Sequence, residues 1–187
     1  QQDDPNGDCY LNLYQFDHEY QIVYQNKNIK EVELLNKETF QPRGNTALLD
    51  AIGRTISSIP NKNLENNNIE NNNDDKNNKD KIIFVILTDG EENSSKEFSY
   101  NTISKMIEER EKDGWEFVFL GANQDAIKTA GGLGIKQNSA MTYAQTPQNV
   151  RACFNSLSSA ISRTRSCEYT KINFSDLERM ESLEQNT

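Results

Sequence analysis

Asp89 follows the apolar run Ile82-Ile83-Phe84-Val85-Ile86-Leu87 and Thr88, and precedes Gly90, so a carboxylate stands where a buried strand should end. Three chemistries compete for an acid in that position. Beside a phosphate-cradling loop it would serve nucleotide hydrolysis, but G-x-x-x-x-G-K-[ST] occurs nowhere in the chain. As a turn residue it would only close the strand, because Thr-Asp-Gly is favourable turn chemistry. As a ligand of a hard divalent cation it would join a shell of about six oxygens converging from several loops. Asp17, at the end of CYLNLYQF, is a second strand-end acid, for which a solvated loop residue is the plainer reading. Glu91 and Glu92 suit the rim of such a site and a solvated acidic turn equally. His18, the one histidine, has no zinc-type partner and no serine nucleophile motif, and reads as an exposed loop residue. Gly131-Gly132-Leu133-Gly134 lacks dinucleotide-loop spacing and reads as a helix end.

The elements that must hold these residues follow from periodicity. CYLNLYQF and YQIVY, separated by Asp17-His18-Glu19, predict a hairpin. In TALLDAIGRTISSI, Leu48, Leu49, Ile52, Ile56 and Ile59 recur at helical spacing, and Pro60 follows. Residues 61–80 are Asn-rich with almost nothing to bury, which predicts a disordered surface insertion interrupting one domain. IIFVIL is continuous and β-branched, as suits a strand covered on both faces. A helix from about Ser99 to Lys112 turns Ile103, Met106 and Ile107 inward. WEFVFLGA reads as a strand, QDAIKTAGG as a short helix, and SAMTYA as a weaker strand. Thr146-Pro147 opens a last clear helix whose predicted stripe is Val150, Phe154, Leu157 and Ile161. Residues 166–187 read as a polar tail with helical tendency in DLERMESLEQ. The alternation of strand and helix over 82–165 predicts an open α/β sheet of parallel strands with ligands at the strands' carboxyl ends, where Asp89 lies.

Composition narrows the partners. The chain has 187 residues, enough for one domain, with 29 acidic against 20 basic side chains and a net charge of -9. That field repels phosphate, so neither nucleic acid nor an anionic membrane is expected as a partner. No 18-residue apolar run and no secretory leader pattern occur. Cys9, Cys153 and Cys167 form an odd set without C-x-x-C spacing, which fits a reducing, cytoplasmic compartment and suggests neither disulfides nor zinc.

GNTALLDAI together with FVILTDGEEN resembles the second and third loops of the metal-ion-dependent adhesion site of von Willebrand factor type A domains. The resemblance runs in order from about Cys9 to Arg165 and is nearest to the stand-alone cytosolic domains of microbes and phages. It implies a three-layer, Rossmann-like open sheet over 1–165. It also implies Mg²⁺ (or Mn²⁺) held directly by Thr46 and through water by Asp89, and a protein partner whose carboxylate takes the ion's open position. The implied role is binding, not catalysis. The family's first loop, D-x-S-x-S, at the end of the central first strand, has no counterpart here. Two explanations follow: an N-terminally shortened piece of a complete domain, favoured by Gln in place of an initiator Met, or a degenerate member. Without that strand its neighbours' backbone groups stand unpaired, at ~1–3 kcal/mol each, and metal affinity should be weak. The alternatives are a metal-free interaction scaffold and a hydrolase or nucleotide-dependent enzyme using Asp89.

Overall fold

In the computed structural model of the chain, residues 8–36, 40, 44–60, 81–122, 125–166 and 170–183 are described. The expected hairpin is present. Strand β1 (Tyr10–Phe16) pairs antiparallel with β2 (Tyr20–Asn28), from Tyr10 opposite Asn28 to Phe16 opposite Tyr20. Helix α1 (Leu48–Ser58) buries Leu48, Leu49, Ile52 and Ile56, as their spacing predicts. The hairpin is fastened to this helix at two points. The Ala47 N–H donates to the Asp17 carbonyl at 2.7 Å, and the Tyr20 and Thr55 hydroxyls share a hydrogen bond of 2.8 Å.

The second half is a parallel sheet in the order β3 (Ile83–Thr88), β4 (Glu116–Ala122), β5 (Ala140–Tyr143). Its crossovers carry α2 (Tyr100–Lys112), capped by Ser99 accepting from the Thr102 N–H, and α3 (Ala126–Gly132), capped by Asp125 accepting from the Lys128 N–H. Thr88 pairs with Gly121 and Ala122 with Tyr143, so the carboxyl ends of all three strands form one rim. The molecule is therefore mixed α/β, with a three-stranded parallel sheet between helices. The Asn-rich insertion at 61–80 lies outside the described residues.

Side chains of β4 alternate between two cores, as the twofold period of a strand requires. Phe117 and Phe119 enter one with Leu48, Ile52, Ile56, Ile103 and Ile107; within it Trp115 stacks with Phe84 and with Phe117. Val118 and Leu120 enter the other with Met141, Cys153, Leu157 and Ala160 from β5 and α4 (Pro147–Arg165). The segment read as a polar tail contributes to this second core. Ile172 and Phe174 are buried in it, and α5 (Asp176–Glu181), with a complete Ser175–Glu178 capping box, leads to the buried Ser182.

Two expectations are corrected. The buried face of α4 is Asn149, Cys153, Ser156, Leu157, Ala160 and Thr164, while Val150 and Ile161 pack at its margin and Phe154 is exposed. Small side chains let the helix approach the sheet closely, so its contact stripe is not its most apolar one. Nor is β3 covered on both faces. Phe84, Ile86 and Thr88 face the first core, but Val85 is 36% and Leu87 40% exposed, because no described helix reaches over that part of the sheet. Moreover, β3 pairs only with β4 and β1 only with β2, leaving one edge of each strand unpaired among the described residues.

Candidate metal site at the strand tips

Thr46 and Asp89, the residues implied as metal ligands, belong to one rim of the molecule. Asp89 follows the last residue of β3 and is exposed; Thr46 is half-buried just ahead of α1. What joins them is Gly90. A Cβ added there would run into the Thr46 hydroxyl oxygen, so the turn carrying Asp89 passes directly over the Thr46 side chain. Thr88 sets the turn: its hydroxyl donates to the Gly90 carbonyl at 2.9 Å and accepts from the Gly90 N–H at 3.2 Å. A two-way link fixes the register of the two segments, with the Thr46 N–H donating to Asn93 Oδ1 at 2.9 Å and the Asn93 N–H to the Thr46 carbonyl at 3.1 Å. Among the described residues, neither the Thr46 hydroxyl nor the Asp89 carboxylate takes a hydrogen bond.

Asp89 acts electrostatically on Tyr143, across the rim at the end of β5. Burial pushes the Tyr143 phenol up to about 12, with the neighbouring Cys153 and the Asp89 carboxylate adding to it. A phenolate there would be both desolvated and beside an acid, so Tyr143 stays neutral.

The other acids have roles that periodicity did not reveal. Asp17 is buried, not solvated: its Oδ1 accepts from the Glu19 N–H at 2.6 Å and lies 3.2 Å from His18 Nδ1. Glu91 is exposed, whereas Glu92 turns inward onto α1 and accepts the Leu49 N–H at 2.9 Å. Asp50, unremarkable within LLDAI, is 7% exposed and accepts three backbone N–H groups, from Lys96, Glu97 and Phe98, at 2.8, 2.9 and 3.0 Å. Burial alone would raise the Asp50 carboxyl, but these three donors outweigh it and hold it below its ordinary value. Glu92 is depressed in the same way, burial being outweighed by the Ser95, Leu49 and Ser94 donors. Both are therefore carboxylates at neutral pH.

A hard cation accepts hydroxyl and carboxylate oxygens, so Thr46 and Asp89 fit its chemistry in kind. In number they fall short of about six ligands. Among the described residues no group of three or more His, Cys, Asp or Glu side chains is placed to hold a metal ion. A cleft of about 720 Å³ opens beside the rim between the hairpin turn and α1, bounded by Phe16, Tyr20, Asn45, Arg54, Ser94 and Glu97. Among the described residues no helix is long and apolar enough to cross a membrane. No family model, no curated protein and no solved structure matches this chain.

Proposed function

We propose that this chain is a von Willebrand factor type A-like module that binds protein partners through a divalent cation at the strand tips. The observation that carries the reading is the passage of the Asp89 turn over the Thr46 hydroxyl, which brings to one rim two oxygen-bearing side chains from distant segments, neither taking a hydrogen bond among the described residues. Thr46 would ligate Mg²⁺ directly and Asp89 through water. The remaining oxygens would come from water. When bound, the ion supplies an open coordination position for a partner's carboxylate.

The role is binding without catalysis, in a cytoplasmic setting, and the net charge of -9 argues against nucleic-acid and membrane partners. One observation favours a second reading, a metal-free scaffold: the described residues hold no cluster of three His, Cys, Asp or Glu ligands. Thermal unfolding with Mg²⁺ or Mn²⁺ decides between them. The metal reading expects a rise in melting temperature that grows with cation concentration, about 2.7 kcal/mol of stabilisation at a hundred times the dissociation constant, and its loss in Thr46→Ala. A melting temperature indifferent to both cations leaves the scaffold.

A further inference from the structure

We propose that Glu92 and Asp50 are positioning residues for the metal site, two interlocked carboxylates that fasten the loop bearing Asp89 to the helix that begins beside Thr46. The inference rests on the metal reading above; it adds Asp50, which the sequence did not single out, and gives a bonding role to Glu92, which the sequence offered equally as a rim residue and a solvated acid.

The interlock is reciprocal. Glu92, from the loop, accepts on both oxygens: Oε1 takes the N–H groups of Ser94 and Ser95 at 2.9 and 2.8 Å, and Oε2 takes the Leu49 N–H at 2.9 Å and the Ser95 hydroxyl at 2.7 Å. Asp50, from the helix, reaches the other way: Oδ2 takes the Lys96 N–H, and Oδ1 takes those of Glu97 and Phe98. Ser95 stands between the two acids, since its hydroxyl oxygen also accepts the Asp50 N–H at 3.1 Å. The N-terminal turn of α1 has no side-chain cap of its own, because Ala47 occupies that position. Its first N–H groups, at Leu49 and Asp50, are satisfied from the loop instead. The start of the helix and the course of the loop are thus a single hydrogen-bonded unit, with Thr46 at one end and Asp89 at the other.

Only a carboxylate accepts all the N–H bonds at either position. An ionised acid accepts on both oxygens, whereas an amide must present an NH₂ group on one side. In Glu92→Gln or Asp50→Asn that NH₂ would face at least one backbone N–H whichever way the amide turned. Both substitutions keep the shape of the side chain; Asp50→Asn breaks at least one of three bonds, that to the Lys96 N–H or those to the Glu97 and Phe98 N–H groups, and Glu92→Gln breaks at least the bond to the Leu49 N–H or those to the Ser94 and Ser95 N–H groups. The Thr46 hydroxyl and the Asp89 turn would then lose their fixed separation, and residues that orient ligands in this way typically govern metal affinity tenfold or more.

The test is a Mn²⁺ titration of the 187-residue chain, with free Mn²⁺ read by electron paramagnetic resonance below the melting range of every variant. Glu92→Gln and Asp50→Asn are expected to weaken binding by about 10–100-fold. Ile107→Val, a change in the first core away from the rim, is the control for lost stability; it should lower the melting temperature and leave Mn²⁺ affinity unchanged. Wild-type affinity in Glu92→Gln, with binding abolished in Thr46→Ala, overturns the positioning role and leaves the metal reading standing. No Mn²⁺ binding by the wild type overturns both. Should the two amide variants fail to fold, Ser95→Ala removes only the hydroxyl between the acids. A loss of affinity there supports the proposal, and an unchanged affinity overturns it.

Discussion

A methyl group on Gly90 would collide with the Thr46 hydroxyl, and that one contact makes the geometry of the rim testable at the level of single atoms. Gly90→Ala is expected to cost about 1–3 kcal/mol in urea unfolding, the usual penalty of overpacking a filled site. In a Thr46→Ala background the same change should cost less, because the obstructing oxygen is gone; additive effects would show that the two residues do not touch. Asp50 gives a pH-dependent counterpart. Its carboxyl is depressed below its ordinary 3.8, so its stabilising contribution is fully present above that value and is lost as pH falls through the lower, folded-state value. The stability difference between the wild type and Asp50→Asn should therefore be flat from pH 5 to 8 and shrink below about pH 4. A difference that narrows near neutrality would contradict the hydrogen bonds assigned to Asp50.

Helix α1 shows at the level of elements how local preference yields to packing. Gly53 lies within it, and in an isolated helix Gly→Ala stabilises by roughly 1 kcal/mol. Here a Cβ would stand 2.6 Å from the Phe98 ring, on the far side of the loop that Asp50 clamps. Gly53→Ala is accordingly expected to destabilise, measured by thermal unfolding, and a stabilised variant would show the ring free to move aside. Elements with a strong apolar period were legible in the sequence: the stripe of α1, the inward Ile103 and Ile107 of α2, and the parallel strands β3 and β4. Less legible was α4, where Cys153, Ser156 and Ala160 make the contact and carry little apolar signal. The burial of Ile172 and Phe174 escaped notice because two isolated apolar residues in a polar segment have no period. Of the rim, Thr46 and Asp89 stood out through their motifs. Glu92 read equally as a rim residue and as a solvated acid, and Asp50 did not stand out, since the Leu49 N–H that Glu92 accepts and the Lys96, Glu97 and Phe98 N–H groups that Asp50 accepts are distant along the chain, and main-chain donors leave no mark in a sequence.

Over the molecule as a whole the strands form two sheets, β1–β2 and β3–β4–β5, and β3 pairs on one side only among the described residues. Exposed strand edges beside apolar side chains promote edge-to-edge association. The 187-residue chain is expected to self-associate in sedimentation measurements, and Leu87→Lys should suppress this without loss of helical circular dichroism; a monomeric wild type would mean that the edges are already protected. The same arrangement frames the proposed function, because the rim that unites Thr46 with Asp89 lies at the carboxyl end of β3, whose second edge no described strand pairs. Paramagnetic broadening of amide resonances in isotope-labelled protein during a Mn²⁺ titration tests the metal reading most directly. The N–H signals of Thr46, Asp89, Gly90 and Asn93 should fade first and together. Broadening centred on another acidic patch, such as Glu108 and Glu109 on α2, or none at all, would contradict it.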